Sequence, residues 1–412
     1  MEKTDQQIYD EFASQLCEWG KDGKIPAAGN QDIAYGLMQQ GKRLEKYHVK
    51  MEYRLNPRAN RTGCSTAVFS DVRYTNKLVW NGYQKETAYY KEGRKCLGIK
   101  DNELLYTIIT WLNDKTEKTV YCCPNCGAIS EVDALLEGCP YCHTRFMMSD
   151  LFPKITNYYF LRDYSLEEKE FKHRTAKWMI TGGMIGFLIR MPGVLIDLFR
   201  GHNLIFLLFS ALLTAGIFAV FGYFALSLSI FARMMKDCFK QAPRAAGQIE
   251  AKRKLTGFMK QFDPGFTYEY FFGKVQALLK ILIFTDDRGG LAVYEGQPEN
   301  WGFDNIVDAQ FDGALSFCGS RVEGNYCYLD LKAYMTDVYC LDGRLQRKPD
   351  VFRIGLCRNI SSPPDYGFSV KKVSCKSCGA SFDATRERFC PYCRSRYDLK
   401  EDDWVITYIR KS

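Results

Sequence analysis

The sequence predicts an α+β protein of two cytoplasmic modules joined by a transmembrane helical hairpin. Three observations carry this reading. Two Cys-x2-Cys pairs occur in each of two short stretches, an uncharged run of 29 residues lies between those stretches, and β-branched and aromatic runs bracket each one. The chain's 412 residues are 25% charged and 15% aromatic, enough for two or three domains with real cores. A net charge of +8 invites a nucleic-acid or anionic-membrane partner, and the placement of that charge decides between them. The opening MEKTDQQIYDEF is acidic and helix-like, unlike a secretory leader.

The cysteines come first in the argument. Of seventeen, eight form two sets: Cys123, Cys126, Cys139 and Cys142, then Cys375, Cys378, Cys390 and Cys393. Twelve residues separate the pairs in the first set and eleven in the second. Each Cys-x2-Cys knuckle aims two thiolates at one ion, and two knuckles complete a tetrahedral shell. Gly127 and Gly379 follow the second cysteine, where the turn needs a positive φ, and Pro124, Pro140 and Pro391 stiffen the loops. A catalytic zinc keeps an open position, whereas four thiolates close the shell, so two structural zinc ions are expected. A redox Cys-x2-Cys would stand alone on a βαβ unit. Cys122 and His143 flank the ligands and are alternative members of the first shell. The other nine cysteines are scattered, several in apolar runs, and read as reduced core residues in a reducing compartment.

The N-terminal module, 1–165, opens with a helix over 5–19 that places Ile8, Phe12, Leu16 and Trp19 on one face, with Gly20 ending it. Residues 48–55 alternate as a strand. Strand-like runs at 104–112 and 155–162 then bracket a zinc ribbon at 120–146. The C-terminal module, 248–411, offers a helix over 267–284 and strands near 304–318, 326–341 and 351–357. Cys327, Leu329, Leu331, Ala333 and Met335 alternate with more polar neighbours, and LDGR at 341–344 signals a tight hairpin. A second ribbon, 373–397, falls between the 351–357 strand and a last one at 404–410. In both halves a hairpin turn is replaced by a zinc-stapled loop, an internal repeat of arrangement.

Between the modules, 204–232 is long enough to cross a ~30 Å hydrocarbon core. The preceding segment, 178–199, contains Arg190, Pro192 and Asp197, and one mid-membrane Arg costs about 2.5–3.5 kcal/mol on insertion scales. Its apolar residues and a helical neighbour offset that cost, and Gly182 and Gly186 provide a small-residue face for close packing. Two crossings are therefore expected, an interfacial or re-entrant first segment being the rival. Lys169, Lys172, Arg174 and Lys177 precede the pair; Arg233, Lys236, Lys240, Arg244, Lys252, Arg253, Lys254 and Lys260 follow it. The positive-inside rule then puts both termini in the cytoplasm, with anionic membrane lipids as partners of the basic flank.

From about 248 to 411 the chain resembles the mitochondrial inner-membrane import subunit 44-like domain of the nuclear transport factor 2-like superfamily. The resemblance rests on the basic amphipathic segment QIEAKRKLTGFMKQFD, the helix over 267–284, the strand YCYLDLKAYMTDVYCLDG and the closing pair VFRIGLCRN and DWVITYIR. Trp404 and Ile409 match the family's last strand, and Phe352 and Arg358 the one before. The resemblance implies a cone-like fold, a helix on a curved antiparallel sheet, with an apolar mouth for peptide, lipid or a small ligand. Two departures matter: a ribbon interrupts the closing hairpin, and the helical region that engages the import motor is absent, so the import role does not carry over.

The expected function is that of a membrane-anchored binding or scaffold protein, with membrane lipids and a protein or peptide as partners. An enzyme is the alternative, since the superfamily implied by the resemblance also hosts acid/base catalysts; Asp330, Tyr328 and Tyr334 are its candidates. All four histidines lie outside the second module. Nucleic-acid binding is the third reading, through Arg386, Arg388, Arg394 and Arg396 beside Phe389, Tyr392 and Tyr397. The first ribbon carries Glu131, Asp133 and Glu137 instead, which disfavours a shared nucleic-acid role. No P-loop, nucleophile elbow or HExxH motif is present.

Overall fold

A computed structural model of the chain describes residues 3–70, 74–113, 120–123, 125–126, 128–163, 168–201, 203–297, 302–361, 372–383 and 387–412. The chain forms two compact units: residues 1–163 together with 247–412, and residues 164–246. Both sequence modules thus contribute to one unit.

Helix α1 (Asp5–Asp22) starts at Thr4, whose hydroxyl accepts from the Gln7 backbone while the Gln7 side chain accepts from the Thr4 backbone. This capping box satisfies two of the orphan donors at the helix start. Ile8, Phe12, Leu16 and Trp19 form its buried face as expected. Gly20 does not end the helix. A Cβ there would sit 2.7 Å from the Tyr53 ring, so this glycine permits close approach to the first strand, and Gly23 (φ +73°) provides the left-handed cap. Helix α2 (Gln31–Lys46), capped by Asn30, follows; it buries Ile33, Leu37 and Leu44 and has no counterpart in the sequence reading.

Strands β1 (Val49–Ser70), β2 (Tyr74–Lys91) and β3 (Arg94–Leu112) form an antiparallel meander. The first extends well beyond Leu55, with a register shift between Pro57 and Thr62 that accommodates the proline. Next come β4 (Val120–Cys122), β5 (Ile129–Glu131), α3 (Val132–Glu137) and α4 (Met148–Leu151), which build the first ribbon. β6 (Lys154–Arg162) then returns antiparallel to β3, giving the sheet order β1-β2-β3-β6.

The second half repeats this plan. After α5 (Glu168–Phe199) and α6 (Leu204–Met259), helix α7 (Tyr268–Phe284) precedes the meander β7 (Ile306–Glu323), β8 (Tyr326–Leu341) and β9 (Arg344–Asn359). The second ribbon contains β10 (Lys372–Ser374) and β11 (Ser381–Asp383), and β12 (Val405–Lys411) returns beside β9, giving β7-β8-β9-β12. The two central hairpins share a turn: Glu92-Gly93 at φ +51° and +76°, and Asp342-Gly343 at +48° and +75°. Both pairs of positive φ suit the right-handed twist of a two-residue hairpin. LDGR announced the second turn, and KEGR at 91–94 is its equivalent.

Cys327, Leu329, Leu331, Ala333 and Met335 face the core that α7 covers, each 2% exposed or less. The halves are tied together by α2, which lies along α7. Arg43 on α2, nearly fully buried, donates to the carbonyls of Phe303 (2.8 Å), Asp304 (2.9 Å), Ile306 (3.3 Å), Ile283 (3.3 Å) and Phe284 (3.2 Å), and to Asp286 (2.8 Å). Gln40 and Tyr89 both donate to Asp308, at 2.8 and 2.6 Å. Tyr159 packs edge-on against Phe272, and Gly273 leaves room for Asn157.

In the other unit α5 and α6 lie antiparallel at very short range. A Cβ at Gly182 would come 2.4 Å from the Phe218 carbonyl, one at Gly186 2.5 Å from the Phe218 Cβ, and one at Gly222 2.4 Å from the Trp178 carbonyl. Gly182 and Gly186 are thus the close-packing face expected of them. Two stretches, Thr175–Phe199 and Ile205–Ser229, have mean hydropathies of 1.7 and 2.4 and are long enough to cross a membrane. Only 11% and 17% of their most apolar windows are buried, whereas the core helix of a soluble protein is mostly buried. Arg190 lies 3.4 Å from Asp197, two turns along α5, so these two charges pair with each other.

Candidate metal centres

Each knuckle is made by backbone hydrogen bonds that fold the chain around sulfur. The Cys123 N–H donates to Ala128 and the Cys375 N–H to Ala380; the Cys139 N–H donates to Thr144 and the Cys390 N–H to Ser395. His143 and Arg394, the residues after the last cysteine, both take a left-handed φ of +58° and +62°, and both donate back to the carbonyl four residues earlier. In these bonds the two ribbons repeat one another despite different intervening sequences.

The eight cysteines predicted as ligands come together in two groups of four, with sulfurs within 4.8 Å of one another. Cys123 and Cys142 stand 3.6 Å apart, as do Cys126 and Cys139; in the second group Cys375–Cys393 is 3.5 Å and Cys378–Cys390 is 3.7 Å. Zn–S bonds of about 2.3 Å in a tetrahedron require sulfur–sulfur edges of about 3.8 Å, which these separations nearly match. A disulfide would need about 2.05 Å. All eight are free thiols. The donor set is closed and soft, so the sites fit structural zinc and leave no position for a substrate.

Two residues beside the shells were not foreseen. The Thr144 hydroxyl lies 3.4 Å from the Cys142 sulfur and holds that thiol's pKa down to about 5. Ser395 stands 3.1 Å from both Cys375 and Cys393 and holds Cys375 down to about 5. A hydroxyl hydrogen-bonded to sulfur favours the thiolate that a metal requires. The legible signal was a hydroxyl residue two positions after the last cysteine in both ribbons, Cys-His-Thr and Cys-Arg-Ser.

His143 is not a member of the first cluster among the described residues. The side chain of Cys122, like Pro124, Gly127, Cys64, Cys238, Arg386 and the basic residues at 169–174 and 233–244, lies outside the described residues. Of the remaining scattered cysteines, Cys327, Cys340 and Cys357 are buried as expected, Cys17 is half-buried, and Cys96 and Cys318 are exposed. The last two sit on β3 and β7 at outward positions, so apolar context in the sequence did not decide their burial.

The residues weighed for other chemistry are held in structural contacts. Asp330 accepts from the Tyr408 hydroxyl at 2.7 Å, the Arg321 guanidinium covers the Tyr328 ring at 4.3 Å, and Ser316 donates to Tyr334 at 3.3 Å. All three alternate with the core-facing residues of β8 and lie on the sheet's other face. Arg388 donates to the Leu291 and Tyr294 carbonyls, and Tyr397 donates to Asp402, which fastens the second ribbon to its own module. Phe389, Tyr392, Arg394 and Arg396 remain exposed. Comparison with protein-family models, with characterised proteins and with solved structures finds no match to this chain.

Proposed function

We propose that the chain is a membrane-anchored scaffold, in which the α5–α6 hairpin crosses the bilayer twice and a zinc-stapled α+β unit on the cytoplasmic side binds a protein or peptide. The observation that carries the anchor is the exposure of α5 and α6. Phe199, Ile205, Phe206, Phe209, Leu212 and Leu228 are each at least 64% exposed, a surface that water penalises and a lipid tail does not. The paired glycines then supply the close packing that such helices need in lipid, where apolar surface alone does not drive association.

The metal sites support binding rather than catalysis, because a closed thiolate shell holds a loop rigid and does no chemistry on a substrate. Each ribbon also presents the same exposed aromatic beside its last ligand: Tyr141 at 62% and Tyr392 at 72% exposed. A tyrosine on a stiff loop loses little conformational freedom on contact, and such residues anchor protein interfaces. The import subunit 44-like resemblance agrees with a membrane-associated binding role and suggests the cone as the second half's shape.

The test is topology. Reporter cysteines at Lys3→Cys, Ser412→Cys and Asn203→Cys are introduced into a chain whose exposed native cysteines are controlled, and intact cells are treated with an impermeant maleimide. Two crossings require immediate labelling at Asn203→Cys, and labelling of the two termini only after the membrane is opened. Labelling of one terminus alone in intact cells refutes the hairpin.

A further inference from the structure

Where α2 and β6 of the first half meet α7 of the second, two adjoining cavities of about 50 and 20 Å³ open. Both are walled by Gln40, Tyr158, Gln276 and Lys280. The rest of the larger cavity is mainly apolar, with Ile33, Leu37, Leu278 and Ile281 in its lining. We propose that it binds a small organic monocarboxylate, whose carboxylate is held by Lys280 and Gln276 and whose short apolar body fills the space beyond. No residue of this site is a zinc ligand or part of the hairpin, so the inference stands apart from the scaffold reading.

One buried unsatisfied donor and one cation without an anionic partner carry the argument. Gln276 is 4% exposed and its side-chain Nε2 has no acceptor. A buried N–H without a partner forfeits its hydration with nothing in return, and native proteins seldom tolerate one without a ligand, an ion or a water to meet it. One turn further along α7, the half-buried Lys280 ammonium has no ion-pair or hydrogen-bond partner among the described residues and lies over the Tyr158 ring, 5.2 Å from its centroid. Burial drives its pKa down to about 8, against the opposing pull of Asp308.

The other charges near the cavity are already engaged. Lys274 pairs with Asp403 at 2.7 Å, Lys85 with Glu103 at 3.2 Å, Asp308 accepts from Gln40 and Tyr89, and Asp32, which also lines the larger cavity, has a partner of its own. Lys280 is therefore the cation left to meet an incoming anion.

The cavity's dimensions and lining select the anion. At about 10–15 Å³ for each water in this measure, 50 Å³ holds three to five waters, which matches a carboxylate with a body of two or three carbons and excludes a long acyl chain. Phosphate or sulfate would be stripped of water against apolar walls with two donors to replace it, an uncompensated cost. A carboxylate needs fewer donors, and its hydrocarbon part gains from the same walls.

The experiment uses the full chain in lipid nanodiscs and trace acetylation of amines by acetic anhydride at pH 8, with the Lys280 peptide followed by mass spectrometry. Sodium butyrate is the probe, and butanol and inorganic phosphate are the controls. Butyrate should slow acetylation of Lys280 saturably and at least tenfold, leaving Lys24, whose side chain is 77% exposed, unchanged. In Gln276→Leu the half-protecting concentration should rise about tenfold, the loss expected for one hydrogen bond to a charged group. A Lys280 that resists acetylation in the free chain shows a cavity closed to small solutes and overturns the proposal. So does equal protection by butanol or phosphate, an absence of protection, or an unchanged value in Gln276→Leu.

Discussion

Replacing Arg43 by methionine should undo the junction between the two halves of the folded unit. The guanidinium is nearly fully buried and spans the C-terminal end of α7 and the loop before β7, donating to five backbone carbonyls and to Asp286. Methionine keeps much of the volume and removes every donor. Asp286 is 58% exposed and can return to water, so little is lost there. The Phe303, Ile306, Ile283 and Phe284 carbonyls belong to buried residues and cannot all do so. Each stranded acceptor costs about 1–3 kcal/mol, and the four share one donor group, so the costs do not add in full. The expected loss is about 3–5 kcal/mol, comparable to breaking a buried ionic contact by deleting one partner. Urea unfolding of Arg43→Met and wild type, followed by tryptophan fluorescence, reads this as a shift in midpoint at equal slope. A loss below about 1 kcal/mol would show that the carbonyls find water, and that α2 does not hold the halves together through this residue.

The metal sites and a buried acid give two further expectations. Cys390→Ser should lower bound zinc from two ions per chain to one and unfold the second ribbon locally, because metal binding and local folding are coupled; elemental analysis after dialysis checks it, and two retained ions would contradict it. Asp337 is fully buried, and burial, then the neighbouring Asp350 and Asp308, raise its pKa well above the usual carboxylate range, which favours its protonated form beside Asp350, itself paired with Lys411 at 2.7 Å. Its folded pKa lies above the unfolded one, so the native state is favoured below about pH 3.9 and loses up to about 1.4 kcal/mol per pH unit as pH rises toward the folded value. Asp337→Asn has no proton to lose, and its stability should fall less than wild type's between pH 5 and 8; equal slopes in urea unfolding would show that Asp337 is ionised in the fold.

What was legible in the sequence was local and periodic. The knuckles, the LDGR turn, the strict alternation in β8 and the apolar stripe of α1 each rest on residues within a few positions of one another. Helix α2 has no clear signal in the sequence because its buried stripe is diluted by Gly36, Gly41 and five glutamines or lysines, and it is held by what it touches on α7 and β7 rather than by its own pattern. Gly20 was misread for a related reason. A glycine near a helix end usually caps it, but here the constraint is a tyrosine ring on a strand more than thirty residues away.

The repeated plan explains why the two modules form one unit. Each half has a meander, a ribbon and a returning fourth strand, with helices supplied from before the meander. One four-stranded sheet with a helix on one face leaves the other elements of that half short of apolar cover, and the halves resolve this reciprocally. Val307, Val338 and Cys340 of the second sheet join the core built on α1 and the first sheet, while Tyr35 and Tyr159 of the first half join the core around α7. Because each core borrows from the other half, neither half carries a complete core of its own. The interval between them can hold two long apolar helices without dividing the unit, since loop closure grows only logarithmically costly with length. In the sequence, a pair of helices with exposed apolar faces is thus inserted between the two halves of a repeated plan. Within the folded unit, the contact between the halves is where α2, α7 and β6 leave the cavity that Lys280 and Gln276 face.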